Sequence, residues 1–205
     1  MREVIDLDSE KISSSVVLEQ MKLHSHEYFL VSVHREENVD VPENLEKIFS
    51  ILNELVETYH LPVIVSTHPR TRKRIENMGL QANPAIIFNK PFGFIDYIKL
   101  QTEAKIVLSD SGTITEESSI LNFPALNLRE VNERPEGFEE ATVMMVGLNL
   151  ERVLSAVNIL ATQARGNDRS IAMVADYSTE NVSDKIVRII HSYTDYVNRV
   201  VWKKY

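Results

Sequence analysis

Short, continuous apolar runs recur along this chain, and between them hydrophobic positions fall at helical spacing. Tyr28-Phe29-Leu30-Val31-Ser32-Val33 reads as a first strand buried on both faces. Leu45, Ile48, Phe49, Leu52, Leu55, Val56 and Tyr59 then line one side of a helix, after a Pro42 suited to a helix's first turn. The alternation repeats. Pro62–Thr67, Ala85–Phe88, Lys105–Leu108 and Pro124–Leu128 predict further strands, and Ala141–Val146 a sixth. A basic segment after Pro69 predicts a helix ending near Gly79, a short one carries Phe94, Tyr97, Ile98 and Gln101, and another lies near Thr113 to Leu121. Two long helices close the pattern, at Leu150–Leu160 and within 180–205, with a loop at Gly166–Ser170 between them. The last, from Asn181 to Trp202, has Val182, Ile186, Ile189, Ile190, Tyr193, Val197 and Val200 along one stripe. Apolar strands separated by helices predict an α/β chain with a Rossmann-like, doubly wound parallel sheet covered on both faces. No internal linker interrupts it, so residues 1–205 are expected to form one domain.

Composition narrows the function. No apolar run approaches the roughly 18 residues that a membrane-spanning helix needs. Acids at Glu3, Asp6 and Asp8 stand where a signal peptide would be basic and then apolar. The 205 residues include no Cys, which removes disulfides, thiolate nucleophiles and Cys-based zinc sites and fits a reducing, cytoplasmic setting. With 30 acids against 22 bases the net charge is −8, which argues against a general nucleic-acid binder. A negative chain still binds a phosphorylated small molecule where donors are concentrated.

Ser109-Asp110-Ser111-Gly112-Thr113-Ile114-Thr115-Glu116-Glu117 is the most informative stretch, because it follows a buried strand and opens a helix. Gly112 lets the backbone approach a ligand, and the free N–H groups of a first helical turn favour an anion such as a diphosphate. Ser111 and Thr113 add hydroxyls, and Glu117 lies one turn further in, where a carboxylate can accept from a ribose. The plain alternative is an ordinary capped helix, with Thr113-Ile114-Thr115-Glu116 as a capping box.

Two other loops follow strands. His34-Arg35-Glu36-Glu37-Asn38 offers a His and an Arg to a phosphate, or else is a charged loop with Asn38 or Asp40 as helix cap. Glu133-Arg134-Pro135-Glu136-Gly137 offers a guanidinium fixed before a proline, or else a surface ion pair from Arg134 to Glu133 or Glu136. Val31-Ser32-Val33-His34-Arg35 is echoed by Val65-Ser66-Thr67-His68-Pro69-Arg70, which puts both His at the carboxyl edge of the sheet, where doubly wound folds bind ligands. Tyr97 either packs in the core or stacks on a base. His24-Ser25-His26 is too short and isolated for a metal site, and neither HExxH nor GxSxG occurs.

In this order and spacing, His34-Arg-Glu-Glu-Asn, Thr67-His-Pro-Arg, Asp110-Ser-Gly-Thr-Ile-Thr-Glu-Glu and Glu133-Arg-Pro-Glu closely resemble the C-terminal half of the non-hydrolysing UDP-N-acetylglucosamine 2-epimerase family. The resemblance runs from about Tyr28 to Leu160, and the closing helix fits it. It implies two Rossmann-like domains in the GT-B arrangement with UDP-sugar between them, and inversion at C2 through elimination of UDP to a glycal, then re-addition. It implies that Ser111, Gly112 and Thr113 hold the diphosphate, Glu117 the ribose, His34 and Arg134 act near the phosphates, and Tyr97 packs on uracil. Neither metal nor cofactor is implied; a homodimer is. Thr113 stands where the family commonly has a second Gly. Ser118–Phe123, with Asn127-Leu128-Arg129-Glu130, looks like the branch that forms UDP-N-acetyl-L-fucosamine. Family members are nearly twice this length, and their N-terminal domain supplies the carboxylates that move the C2 proton. The chain is therefore expected to be the UDP-binding half of an epimerase. The rival expectations are the donor-binding half of a GT-B glycosyltransferase and a nucleotide-sugar-binding subunit without catalysis.

Overall fold

The computed structural model describes every residue except Asn132 and Tyr205, and the backbone alone at Pro69, Arg70, Glu76 and Asn77. The expected apolar runs become β1 (Phe29–Ser32), β2 (Val63–Ser66), β3 (Ile86–Asn89), β4 (Ile106–Ser109), β5 (Ala125–Asn127) and β6 (Met144–Met145). They form one sheet in the order β3-β2-β1-β4-β5-β6, and every neighbouring pair is parallel. This is the doubly wound Rossmann-like order, with a switch point between β1 and β4.

Strand residues alternate between two cores, as a period of two requires. Phe29, Val31, Val63, Val65, Ile106, Leu108 and Leu126 pack against α5 (Pro42–Tyr59) and α10 (Leu150–Leu160), through Leu45, Leu52, Leu55, Val153 and Val157. Tyr28, Leu30, Ile64, Val107 and Ala125 pack on the other face with Leu100 of α7 (Phe94–Glu103), Ile114 of α8 (Thr113–Leu121) and Phe123. Each fully buried Leu or Ile of these cores contributes roughly 1.5–3 kcal/mol by burial. The Tyr28 hydroxyl donates to the Leu100 carbonyl at 2.7 Å, satisfying an acceptor in the last turn of α7. Tyr28→Phe is expected to lower stability by about 1 kcal/mol in urea unfolding, because that carbonyl keeps its burial and loses its donor.

The last residues of five strands stand in register: Asn89, Ser66, Ser32, Ser109 and Asn127. A row of short polar side chains therefore crosses the carboxyl edge.

Three features depart from the sequence reading. Residues before Tyr28 fold as three short helices, α1 (Arg2–Leu7), α2 (Ser9–Ser13) and α3 (Val17–Met21); Ile5 and Ile12 pack with Ile98 of α7 and Val17 joins the second core. The sixth strand shrinks to two residues, because it lies at the sheet's edge and pairs only through Leu126↔Met144 and Asn127↔Met145. The closing helix, α11 (Val182–Tyr196), continues as a π-helical turn (Val197–Val201), and neither has a buried residue. Ile186, Ile189, Ile190 and Tyr193 are each at least half exposed. The stripe exists, but it faces outward.

Candidate functional site

At the switch point the chain leaves β1 and β4 in opposite directions, and the crevice between their loops is where ligands bind in such sheets. The loop after β1 carries Val33-His34-Arg35 into α4 (Glu36–Val39); the loop after β4 carries Asp110-Ser111-Gly112 into α8. Asp110 joins them. Its carboxylate is fully buried and accepts the backbone N–H of His34 (3.1 Å) and of Arg35 (2.9 Å) and the side-chain amide of Asn38 (3.0 Å). The Nδ1 of His34 lies 3.3 Å from its other oxygen. Asn38 is thus a tie between loops and not a helix cap, while Asp40 ends α4 and pairs with Arg74.

The start of α8 is an open ledge. Gly112 is its N-cap, in right-handed helical conformation, with no side-chain cap. The capping box at 113–116 does not form, because Thr113 already lies inside the helix. The Thr113 hydroxyl sits 2.9 Å from Ser111 Oγ, which also accepts the Thr113 N–H at 3.3 Å. Thr113 is exposed and Ser111 and Gly112 are half-buried, while Ile114 and Thr115 are buried and the Thr115 N–H reaches back to the Gly112 carbonyl at 3.4 Å.

Glu117 is buried one turn on, and the Gln101 amide donates to it at 2.5 Å. Burial pushes this carboxyl above the usual carboxylate range; hydrogen bonds from Gln101 and Thr113 pull the other way. Tyr97, on α7, is half-buried against the second core. Burial raises its phenol first, then the nearby charges of Glu117 and Asp110, while hydrogen bonds with Ser32 and Gln101 oppose them.

Arg134 comes to the same ledge. It is the N-cap of α9 (Pro135–Glu139), and its guanidinium bonds Glu116 of α8 at 2.6 Å, with Glu136 at 3.9 Å. Gly137 seats α9 on α8: a Cβ there would stand 2.0 Å from the Thr115 methyl. The Tyr177 hydroxyl braces α9 from outside, donating to Glu136 at 2.8 Å.

The sequence offers Glu133 to Arg134 as an ion-pair partner, but the structure pairs Glu133 with other arginines. Glu133 bonds Arg129 (2.6 Å) and Arg35 (3.1 Å), and an added Cβ at Gly112 would meet its carboxylate at 3.7 Å. Those two guanidinium groups, Arg129 before Arg35, hold its carboxyl down at about 2. The arginines at this edge thus each already hold a carboxylate. A cavity of about 530 Å³ opens beside the cluster, lined by Asn38, Asn44, Lys47, Arg129, Glu130 and others.

The structure gathers His34, Tyr97, Ser111, Gly112, Thr113, Glu117 and Arg134 around one sheet edge. His68, on the loop after the neighbouring β2, is exposed; the Arg70 side chain lies outside the described residues. Asp110 and Gln101 carry no role of their own in the sequence reading: the partners of Asp110 lie 72 to 76 residues away, and Gln101 meets Glu117 from another helix.

A family model described as UDP-N-acetylglucosamine 2-epimerase matches residues 1–191. The UDP-N-acetylglucosamine 2-epimerase of Methanocaldococcus jannaschii is 38% identical over 143 residues, covering 68% of this chain and 39% of that protein. Among solved structures, the UDP-N-acetylglucosamine 2-epimerase from Rickettsia bellii superposes with a TM-score of 0.85 at 44% identity, over 98% of this chain and 54% of that one. The M. jannaschii enzyme, solved in complex with UDP-GlcNAc and UDP, gives 0.77 at 31% identity, over 89% and 50%. The chain spans about half the length of these relatives or less. Among the described residues no helix is long and apolar enough to cross a membrane.

Proposed function

This chain belongs to the UDP-N-acetylglucosamine 2-epimerase family, and from that premise we propose that it is the nucleotide-binding half of a UDP-N-acetylhexosamine 2-epimerase. The turn from β4 into α8 at the switch point, where Ser111, Gly112 and Thr113 open the helix, Arg134 bonds Glu116 and Glu117 lies buried one turn on, is the observation that carries this reading.

In the proposed reaction the C2 proton leaves the sugar, the C1–oxygen bond to UDP breaks, and a glycal forms. UDP then adds back at C1 as a proton reaches C2 from the opposite face. This chain's share is the leaving group. First-turn N–H groups of α8, the Ser111 and Thr113 hydroxyls, His34 and Arg134 receive charge as it builds on the diphosphate; preorganised donors of this kind contribute roughly 3–4 kcal/mol each to barrier lowering. Glu117 accepts from the ribose, and Tyr97 packs on uracil. The groups that move the C2 proton belong to a second Rossmann-like domain facing this edge in the GT-B arrangement. Two facts support that domain: the chain matches about half of its relatives, and the apolar stripe of α11 is uncovered. On the family resemblance we place the complete enzyme in the cytoplasm as a homodimer, with residues 1–205 as one UDP-binding domain that ends in the helix at 180–205.

Calorimetry on this chain tests the nucleotide site. UDP is expected to bind weakly, and Arg134→Ala to weaken it about tenfold or more, the loss of one charge-assisted contact to phosphate. Equal affinity in the variant removes Arg134 from the role. For the complete enzyme, incorporation of solvent deuterium at C2 without any acceptor separates epimerisation from glycosyl transfer; no exchange favours the transferase.

A further inference from the structure

Asp110 has no part in the chemistry above, yet it is the fully buried carboxylate on which both switch-point loops converge. A carboxylate offers about four lone-pair positions. The N–H groups of His34 and Arg35 and the Asn38 amide fill most of them, and the Nδ1 of His34 stands 3.3 Å from the remaining edge of the carboxylate. Burial excludes contact with a sugar, so its influence has to pass through another side chain.

We propose that Asp110 is a positioning residue that holds His34 with the proton on Nδ1 and Nε2 turned to the crevice. The physical reason is one of donors and acceptors. A neutral imidazole carries one N–H, and the nitrogen facing an ionised carboxylate must be that donor. Nε2 is then left as the acceptor, able to take a proton and meet a phosphate as a cation. The same carboxylate bears on where the imidazole stands, because it accepts from the backbone of His34 and lies beside the ring's Nδ1. This rests on the reading that His34 serves the diphosphate; the hold of Asp110 on His34 is a separate observation.

Both are tested on the 205-residue chain. Long-range ¹⁵N–¹H spectra of histidine-labelled protein, above the imidazole titration, identify the tautomer, with His34 assigned by the set of signals lost in His34→Gln. The wild type is expected to show the Nδ1–H form. Asp110→Asn cannot accept from both backbone N–H groups and the ring without turning its NH₂ toward one of them. It is therefore expected to shift His34 to a mixed or Nε2–H population. It should also weaken UDP binding about tenfold, the effect of losing one charge-assisted contact, and His34→Gln with Asp110→Asn should bind no worse than the weaker single variant. An Nε2–H form in the wild type overturns the proposal, and so does additivity in the double variant. Should Asp110→Asn fail to fold, the wild-type tautomer still decides. Asn38→Ala, which spares the carboxylate and ring, is expected to keep the Nδ1–H form; its loss would assign the hold to the loop and overturn the proposal. A wild-type chain that ignores UDP refutes the nucleotide reading, while the tautomer still decides the part of Asp110.

Discussion

Replacing Gly137 with alanine is expected to destabilise the protein by about 2 kcal/mol, as overpacking of a filled interior does. The new methyl would stand 2.0 Å from Thr115 Cγ2 and 3.3 Å from Thr142 Oγ1. Neither neighbour yields easily, since Thr115 is fully buried and β-branched, and the Thr142 hydroxyl donates to the Gly137 carbonyl at 3.1 Å. The remaining way out is for α9 to lift from α8. Arg134, at the start of α9, would then leave Glu116 and the ledge with it. UDP affinity should consequently fall in the same variant, although Gly137 touches no ligand in the proposed site. Thr115→Ser removes the methyl that the alanine strikes, so the double variant should recover at least half of the lost stability in urea unfolding, a non-additivity expected of residues in contact. A Gly137→Ala protein that unfolds at the wild-type midpoint would show that the seat is loose.

Glu117→Gln is expected to weaken UDP binding at least about tenfold, because a charged acceptor for the ribose is lost, while stability at neutral pH is kept or rises. The second half follows from linkage. Burial raises the folded-state affinity of this carboxyl for a proton above its unfolded value. Between the ordinary carboxylate pKa and the raised one, the folded protein therefore holds a proton that the unfolded chain has released. Stability is fully present below the ordinary value and declines as pH rises through the raised one. Glutamine, neutral throughout, does not decline. Urea unfolding from about pH 4 to about pH 8, which brackets the usual carboxylate range and its upward extension, should show the wild type losing ground to the variant as pH rises. A constant difference would mean that Glu117 is solvated well enough to ionise freely.

Much of this architecture was legible in the chain. The central strands are apolar on both faces and bounded by helices of clear periodicity, so β1, β2 and β4 fall where the runs at Tyr28, Pro62 and Lys105 predict. The start of α8 at Thr113 was legible because a glycine between hydroxyl residues follows a buried strand and precedes a run with helical character. What escaped depends on distance or on packing. Helices of five or six residues carry no period to detect, and α1–α3 owe their order to contacts with α7 and the second core. Asp110 and Asn38 are 72 residues apart, and Arg35 and Glu133 are 98. Gly137 reads as part of a loop signal, Pro-Glu-Gly, yet the structure uses it as the bare spot on a helix. The closing helix was readable as amphipathic, but a stripe says only that something covers it, and nothing among the described residues buries it.

The level row formed by Asn89, Ser66, Ser32, Ser109 and Asn127 bears on how such a protein can change. Loops rooted on a flush sill start from a common height, and no strand has to slide when one of them is exchanged. Variation in the ligand is thereby confined to interchangeable fittings above the sill, while the strands beneath keep their pairing.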